Sequence, residues 1–220
     1  MTTAQLQASD VSFRYGEEWT VREATFSVES REVVAICGRS GAGKSTLLHV
    51  AAGLVAPDSG ALTCRGVGYD ELSESRRADF RLRNFGLVFQ FGDLIPELTL
   101  VENVELALRL TGTRKRPARE RAMAALDQVG IAHLAAKQSG SVSGGELQRA
   151  AIARAVVHEP AVVFADEPTG ALDDKNSERV VELLFDVARA QGAAVLLVTH
   201  DRQIAAACDR ILTIADGQLV

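Results

Sequence analysis

A glycine-rich segment between a predicted strand and a predicted helix has the residues needed to bind a phosphate group. It reads Gly38-Arg-Ser-Gly-Ala-Gly-Lys-Ser-Thr46 and matches the pattern G-x-x-x-x-G-K-[ST]. Glycines let the backbone turn tightly enough for several N–H groups to point at one anion, and the start of the following helix adds partial positive charge. We expect Lys44 to reach the β- and γ-phosphates of a nucleoside triphosphate and the Ser45 hydroxyl to ligate Mg²⁺. The loop residues expected to contact the nucleotide are Gly38, Arg39, Ser40, Gly41, Ala42, Gly43, Lys44, Ser45 and Thr46.

Two adjacent acids follow an apolar run and could supply metal binding and base chemistry. The run Ala161–Ala165 predicts a buried strand, and Asp166 and Glu167 end it. Asp166 is expected to hold Mg²⁺ through the shell around the ion. Glu167 is expected to polarise the attacking water as a general base, a role that typically contributes about 10²- to 10⁴-fold in rate. The alternative is a strand that simply ends in two solvated acids, but a phosphate loop in the same sheet favours the catalytic interpretation.

A third segment predicts a helix whose start is open to an anion. In Val142-Ser-Gly-Gly-Glu-Leu-Gln-Arg149, Ser143 is a predicted N-cap and Glu146 completes a capping box. Gly144 and Gly145 leave the first turn bare enough for a phosphate to approach the N–H groups. An ordinary helix start is the alternative, since Ser-x-x-Glu begins many helices.

The elements that must position these residues are visible in the hydrophobic pattern. Short apolar runs typical of strands covered on both faces recur along the chain. They are Val33–Cys37, Gly86–Phe89, Ala161–Ala165, Ala194–Val198 and Ile211–Ile214. Before them, Val11–Tyr15 and Ala24–Glu29 alternate apolar with polar residues, which predicts antiparallel strands with one exposed face. The sequence therefore predicts an α/β fold that begins as an antiparallel sheet and continues into a mostly parallel one.

The middle of the chain has helical patterns instead. Thr99 followed by Glu102 has capping-box spacing before an apolar stripe, so we expect a helix to begin there. A second amphipathic helix is predicted over Ala118–Val129, with Gly130 as its C-cap. Gly112–Pro117 is interpreted as the solvated connection between the two helices.

The segment from Val142 to Arg149 resembles the signature segment of ABC ATPases, which separates them from other phosphate-loop proteins. The order of motifs strengthens the resemblance, which covers essentially the whole chain. The order is the phosphate loop, Gln90 after a strand, Ser143–Glu146, Asp166-Glu167, Ala171-Leu172-Asp173, and His200 after a strand. The resemblance implies a P-loop NTPase fold of the ABC ATPase type. In it, residues 1–91 and 161–220 form the nucleotide-binding core with its β subdomain, and residues 92–160 form an inserted helical subdomain.

The resemblance also implies roles for single residues. Tyr15 is similar to the aromatic that stacks on adenine, although it could instead be a strand aromatic that packs in the sheet. Gln90 resembles the hinge residue that senses Mg²⁺ and the γ-phosphate. Asp173 resembles the acid of a loop that crosses the dimer interface. His200 resembles the histidine that contacts the γ-phosphate and orients Glu167. The other three histidines match no motif and are predicted to be structural; they are His49, His133 and His158.

Members of this family work as pairs, and the resemblance implies partners as well as ATP and Mg²⁺. Two copies enclose two ATP molecules, each between the phosphate loop of one copy and the Ser143 segment of the other. The stretch Arg83–Val104 is similar to that of ATPases for lipoprotein release, macrolide export and cell division, which act with permeases of the FtsX/MacB type. We therefore expect a subunit that powers export, lipoprotein or lipid extraction, or mechanical signalling, held at the cytoplasmic face of the plasma membrane by its permease.

Three alternatives to this interpretation stay open. Amino-acid importers and other ABC classes use a similar ATPase. A cell-division-type regulator would activate an extracytoplasmic enzyme without transport. A soluble ABC protein that acts on ribosomes or DNA fits less well, because such proteins generally fuse two modules or insert a long coiled coil.

The loop after Gln90 and a basic run further along each have two interpretations. One set of apolar residues is either a docking surface for a partner helix or a cover for the helical core; the set is Phe91, Leu94, Ile95 and Pro96. One set of basic residues either faces anionic headgroups or, more simply, is solvated and paired locally to Glu120. That set is Arg114, Lys115, Arg116, Arg119 and Arg121.

Three positions depart from the usual ABC pattern without removing a catalytic group. Arg31 stands where a glycine is usual, so the turn there is expected to be built differently. Val142 replaces the usual leucine before Ser143, with a modest loss of packing. Arg39 adds positive charge to the phosphate loop.

Composition and charge exclude several other classes. The chain has 24 Lys plus Arg against 29 Asp plus Glu, a formal charge of −5, so we expect no nucleic-acid partner. The longest uncharged stretch, Ser45–Pro57, is shorter than the roughly 17–25 apolar residues of a transmembrane helix. The first ten residues lack the basic and apolar regions of a signal peptide, so export is not expected. The three scattered cysteines fit small buried residues in a reducing compartment; they are Cys37, Cys64 and Cys208.

Overall fold

A computed structural model describes residues 4–90, 92–170 and 174–220 of the protein, without the side chains of residues 174–176. Its strands are β1 (Ala4–Tyr15), β2 (Glu18–Glu29), β3 (Val33–Cys37), β4 (Ser59–Cys64), β5 (Val67–Gly68), β6 (Phe85–Phe89), β7 (Val162–Asp166), β8 (Ala194–Val198), β9 (Arg210–Ala215) and β10 (Gln218–Leu219). Its α-helices are α1 (Lys44–Ala51), α2 (Glu74–Asn84), α3 (Leu100–Leu110), α4 (Lys115–Gln128), α5 (Gly144–Val156), α6 (Asp174–Ala190) and α7 (Arg202–Ala206). Short 3₁₀ turns lie at Ala132–Leu134 and Ser139–Ser141.

The strands form two sheets. An antiparallel sheet has the order β2-β1-β4-β5, and a second sheet has the order β10-β9-β3-β8-β7-β6. In the second sheet every neighbouring pair from β9 to β6 is parallel, and only β10 runs antiparallel to its neighbour β9. The side chains of β3 and β8 are buried on both faces, which explains their nearly continuous apolar sequences. The predicted α/β fold, with an N-terminal antiparallel sheet and a mostly parallel core sheet, is confirmed.

Three helices lie between β6 and β7. The capping box that begins α3 is confirmed: the Thr99 side chain accepts a hydrogen bond from Glu102 N, and the Glu102 carboxylate accepts one from Thr99 N. Helix α4 begins at Lys115, three residues before the predicted start, so the predicted connection over Gly112–Pro117 is too long. Pro117 lies in the first turn, where its missing N–H costs no helical hydrogen bond.

Two apolar clusters divide along the two faces of the parallel sheet. One contains residues of α3, α4, α5 and α6 together with one face of the sheet. The other joins the antiparallel sheet and α1 to the opposite face. Helix α5 packs against α3 and α4 and also against β6, so it connects the helical region to the sheet. Among the residues that the structure describes, no helix has both the length and the hydropathy needed to cross a membrane.

Two of the three departures from the ABC pattern, Arg31 and Val142, have a clear place in the fold. The turn between β2 and β3 places Arg31 in the left-handed region at a φ of 65°, and Glu32 N donates to Glu29 O over 3.1 Å. Such a conformation costs about 1–2 kcal/mol for a residue other than glycine. Val142 packs against the cluster that contains α5.

The basic run on α4 is paired mainly with nearby acids. Arg116 Nε lies 3.0 Å from Glu120 Oε1, and Arg119 Nη1 lies 3.7 Å from Glu105 Oε2. Arg121 Nη2 lies 3.0 Å from Glu159 Oε1 and also donates to Val157 O over 2.9 Å. These contacts favour the interpretation of a solvated, locally paired surface.

Candidate nucleotide-binding site

The phosphate loop lies between β3 and α1, fitted closely against two other strands. Gly43 has a φ of 100°, and a Cβ there would overlap the Thr20 carbonyl oxygen of β2. A Cβ on Gly38 would overlap the Ile214 carbonyl oxygen of β9. These close approaches require glycine, which gives a physical reason for two of the glycines in the motif. A cavity of about 450 Å³ lies between the loop and the Thr213–Asp216 end of β9.

The loop presents a cation and an uncapped helix end. Lys44 Nζ donates to the carbonyl oxygen of Arg39 over 2.9 Å, so the ammonium group lies over the loop. No side chain caps the N-terminus of α1, whose N-cap residue is Gly43. Free N–H groups at such an end attract an anion. This part of the chain therefore has the donors that a triphosphate needs.

The carboxylate of Asp166 is shared by two side chains of α1. Ser45 Oγ donates to Asp166 Oδ1 over 3.0 Å, and His49 Nε2 lies 3.3 Å from Asp166 Oδ2. Hydroxyl and carboxylate oxygens are the hard ligands that Mg²⁺ prefers, and this ion is usually bound by one or two carboxylates together with substrate phosphates. The residues present therefore fit Mg²⁺, which would be completed by phosphate oxygens. The contact with His49 was not predicted from the sequence.

Glu167 and His200 meet at the ends of neighbouring strands. His200 Nδ1 lies 3.3 Å from Glu167 Oε2, and the side chain of His200 is 70% exposed. Glu167 N donates to Val198 O over 3.0 Å, which fixes the residue between β7 and β8. Its φ of 45° is in the left-handed region, a conformation that is costly outside glycine and concentrates at functional sites. The geometry suits a base whose carboxylate is oriented by a histidine.

Gln90 follows β6 and lies against the turn after Glu167. A Cβ placed on Gly170 would overlap the Gln90 side chain, and Gly170 N donates to Glu167 O over 3.0 Å. The phosphate loop, Gln90, the Asp166–Glu167 pair and His200 thus all follow the carboxyl ends of parallel strands. Ligands of open α/β sheets bind outside this edge.

Three buried or half-buried polar side chains of α3 and α5, which were not predicted from the sequence, hold the backbone on both sides of Gln90. Gln148 Nε2 of α5 donates to Phe89 O over 3.0 Å. Arg154 of α5 donates to the carbonyl oxygens of Asp93 and Gly92 over 2.6 and 2.9 Å. Burial lowers the pKa of the Arg154 guanidinium, and the Asp93 carboxylate partly offsets this.

The third of these side chains is Asn103 of α3, which is fully buried. Its Oδ1 accepts from Ile95 N over 2.7 Å, and its Nδ2 donates to Ile95 O over 3.0 Å. A polar residue at an apolar stripe position was the sequence feature that could have revealed it. Of the apolar loop residues, Leu94 is buried with the helical cluster, whereas Ile95 and Pro96 stay exposed. Phe91 lies outside the described residues.

The signature segment is built as predicted but stands apart from the phosphate loop. Ser143 N and Oγ donate to Glu146 Oε2 over 2.7 and 2.8 Å, and these bonds hold the pKa of the Glu146 carboxyl below its ordinary value. Ser143 and Gly144 are exposed, and a Cβ on Gly145 would meet no atom within 4 Å. No hydrogen bond or ion pair within the described ranges connects Ser143 to the phosphate loop. The helix start is open on the side of the solvent.

One further candidate has no contact with this edge among the residues that the structure describes. Tyr15, at the end of β1, is 59% exposed, and its ring meets Phe13 edge-on at 4.9 Å between centroids. Most of the ring is therefore free to stack on another group. Asp173 lies outside the described residues.

Comparison with known proteins shows similarity along nearly the whole chain. The ABC transporter family matches residues 21–170. The lipoprotein-releasing system ATP-binding protein LolD of Xanthomonas campestris pv. campestris (strain 8004) is 46% identical over 193 residues, which cover 88% of this chain and 81% of that protein. LolD of Hydrogenovibrio crunogenus is 41% identical over 224 residues, which cover 100% of this chain and 97% of that protein.

Solved structures of ATP-binding cassettes are also similar to this chain over nearly its whole length. A dimeric structure of the ATP-binding cassette MJ0796, in a post-hydrolysis state bound to ADP and Pi, has a TM-score of 0.87 and 32% identity and covers 97% of this chain and 96% of that one. The structure of cbiO1 from Clostridium perfringens, part of the ABC transporter complex cbiONQ, has a TM-score of 0.89 and 27% identity and covers 99% of this chain and 87% of that one.

Proposed function

The chain belongs to the ABC transporter family and is an ATP hydrolase, and we propose that it powers a membrane permease of the FtsX/MacB type. The observation that carries the ATPase assignment is the meeting of the phosphate loop, Asp166, Glu167 and His200 at one edge of the parallel sheet. The relatives named for a lipoprotein-releasing system make release of a lipid-anchored cargo the favoured output. Residues 92–160 would act as a helical lobe within this subunit.

Backbone groups and side chains at this edge of the sheet divide the steps of ATP hydrolysis among them. The N–H groups of residues 38–46 and Lys44 bind the phosphates of ATP. Ser45 and Asp166 would hold Mg²⁺, with Gln90 beside them, and the ion would neutralise charge on the β- and γ-phosphates. Glu167 takes a proton from water as the water oxygen bonds to the γ-phosphorus. The bond from that phosphorus to the bridging oxygen breaks, and ADP leaves with the electron pair.

His200 orients the base in this scheme. Its Nδ1 is near Glu167 Oε2, which leaves Nε2 for the γ-phosphate. Tyr15 would stack on the adenine ring, for which its exposed face is suited. Arg39 adds positive charge at the rim of the phosphate loop.

A second copy of the chain would complete the site. The open helix start at Ser143, Gly144 and Gly145 offers N–H groups to the γ-phosphate bound by the other copy, and Glu146 holds the cap that shapes this end. Asp173 would lie at the same interface. A related cassette that binds ADP and Pi is described as dimeric, which supports this arrangement.

The membrane partner would dock beside the loop after Gln90. An apolar groove of about 470 Å³ lies among α2, β6, α3 and α5, and it includes leucines from three of these elements together with exposed Leu54. Leu82, Leu106 and Leu110 are among its lining residues. An amphipathic helix of the permease fits such a groove. Docking there would place the subunit at the cytoplasmic face of the plasma membrane.

The catalytic assignment is tested with Glu167→Gln, which keeps the size of the side chain but removes the base. We expect phosphate release from Mg-ATP to fall by about 100-fold or more. The variant should form an ATP-dependent dimer in size-exclusion chromatography with light scattering. The matched control is Glu178→Gln on the exposed face of α6, which should hydrolyse ATP as the wild type does. Equal turnover in both variants would remove Glu167 from the mechanism.

The docking assignment is tested with Leu110→Glu, since Leu110 is 61% exposed and its replacement leaves the core intact. We expect this variant to lose retention on membranes that carry the co-expressed permease while it keeps its ATPase activity in solution. Val67→Glu, an exposed site on the antiparallel sheet, is the control. Retention of both variants would place the interface elsewhere.

A further inference from the structure

We propose that His49 is a positioning residue that holds the Asp166 carboxylate and so sets how strongly Mg²⁺ supports nucleotide binding. This inference rests on the proposed function, because it assumes that Asp166 serves a bound Mg-nucleotide. The sequence motifs give His49 no role.

Helix geometry brings His49 to this carboxylate. Ser45 and His49 are four residues apart on α1 and therefore lie on the same helix face. Their polar atoms meet different oxygens of Asp166, with Ser45 Oγ at 3.0 Å from Oδ1 and His49 Nε2 at 3.3 Å from Oδ2. The carboxylate is thus held between two side chains that belong to one rigid helix.

The surroundings of His49 separate this role from simple core packing. The buried side chains of α1 are Leu47, Leu48, Val50 and Ala51, whereas the His49 side chain is 31% exposed. The side chain of Asp166 is only 17% exposed. Its contacts with Ser45 and His49 therefore limit rotation of the carboxylate. An imidazole N–H toward Oδ2 would occupy that oxygen, while Oδ1 faces the Ser45 hydroxyl.

Outer partners of metal-associated carboxylates fix ligand orientation, and their loss typically costs about 10- to 100-fold in metal affinity. The effect of His49 should therefore appear in the Mg²⁺ dependence of nucleotide binding. Binding of the nucleotide without the metal is expected to depend on the phosphate loop, and the only described polar contact of the His49 side chain is with Asp166.

The test measures the Kd of ADP by isothermal titration calorimetry, with excess Mg²⁺ and with EDTA. His49→Leu removes the N–H at nearly the same volume, and His49→Gln returns a donor at the position of Nε2. We expect the Mg²⁺-dependent tightening of ADP binding to fall about 10-fold in the leucine variant and to return in the glutamine variant. Affinity in EDTA should stay within about twofold of wild type in both. His133→Leu, at an exposed histidine in a 3₁₀ turn, is the matched control.

Activity gives a second readout. The Mg²⁺ concentration for half-maximal hydrolysis should rise about 10-fold in His49→Leu, with a smaller change in the rate at saturating Mg²⁺. Three results would overturn the inference: an unchanged Mg²⁺ effect in the leucine variant, an equal loss of affinity in EDTA, or no return of the effect with glutamine. If the wild type itself binds no ADP, the proposed nucleotide function is wrong. If the wild type binds ADP more tightly with Mg²⁺ than with EDTA, the nucleotide function stands, and the His49 variants test only the role of His49.

Discussion

The two sides of the proposed ATP site differ in how complete they are within one copy of the chain. On the phosphate-loop side, Ser45 of α1 contacts Asp166 at the end of β7, and His200 contacts Glu167, the residue next to Asp166. On the signature side, Ser143 contacts its own helix through the capping box, and the first turn of α5 faces solvent. One copy of the chain therefore has the first half of the proposed site assembled, whereas the second half is an exposed helix start.

Helix α5 connects these two regions. Its first turn is the open signature end, and further along the helix Gln148 and Arg154 donate to the backbone that carries Gln90 and its loop. Helix α5 therefore links the signature end to the backbone on both sides of Gln90 through side chains of one helix.

The largest expected effect comes from separating the two sides onto different copies. Lys44→Ala damages the phosphate-loop side and Ser143→Arg blocks the signature side, so each variant alone should lose nearly all ATPase activity. Mixed in equal amounts they should regain about one quarter of the wild-type rate, because half of the dimers are mixed and each mixed dimer has one intact site. Phosphate release from the mixture is the measurement.

The matched control for this mixture combines two lesions on the same side. Lys44→Ala mixed with Glu167→Gln leaves no intact site in any dimer, so it should stay inactive. Recovery in the control, or no recovery in the test mixture, would show that the two sides do not come from different copies.

An intermediate effect is expected where α5 holds the loop after Gln90. Arg154→Met removes the donor to two carbonyl oxygens at a half-buried position and should lower the free energy of unfolding by about 2 kcal/mol. Arg116→Met, at an exposed ion pair on α4, should cost no more than about 0.5 kcal/mol. Urea denaturation compares the two, and equal losses would contradict the anchoring role of Arg154.

The smallest effect concerns His158, just beyond the end of α5. Burial lowers the pKa of His158, although its contact of 3.1 Å between Nε2 and Phe85 O acts in the opposite sense. Above pH 6.5 the imidazole is neutral in the folded and unfolded chain. Below it the unfolded chain takes up a proton first, so the free energy of unfolding falls as the pH drops toward the folded pKa.

His158→Gln tests this linkage, since glutamine keeps a donor for Phe85 O but does not titrate. Between pH 7.5 and 5.5 the wild type should lose up to about 1 kcal/mol more stability than the variant. Urea denaturation at the two pH values measures the difference. An identical pH dependence would exclude His158 as a contributor.

Features that depend on neighbouring residues were predictable from the sequence. The capping boxes at Thr99 and Ser143 are formed as predicted, because both partners lie within one turn. The short apolar runs form the strands of the parallel sheet, because a strand that is covered on both faces needs apolar residues at nearly every position. The start of α4 was placed too late because Pro117 looks like a helix boundary, although a first turn accepts it.

Features that depend on distant partners were not predictable. His49 was predicted to be structural because it matches no motif, and its neighbours in the sequence do not indicate that Asp166 lies beside it. Asn103, Gln148 and Arg154 have their acceptors in the loop after Gln90 or at its edge, and nothing near them in the sequence indicates that loop.

The available chemical groups are recognisable in the amino-acid sequence: a phosphate loop, two acids at a strand end, a capped helix start and a histidine after a strand. Its spacing and order were enough to indicate the family. Which of these groups contact each other depends on the tertiary structure. Ser45 and Asp166 are 121 residues apart, and the order of the strands in the sheet brings them together. The same order brings the carboxyl ends of β3, β6, β7 and β8 to one edge, whereas Ser143 is an exposed N-cap at the start of α5.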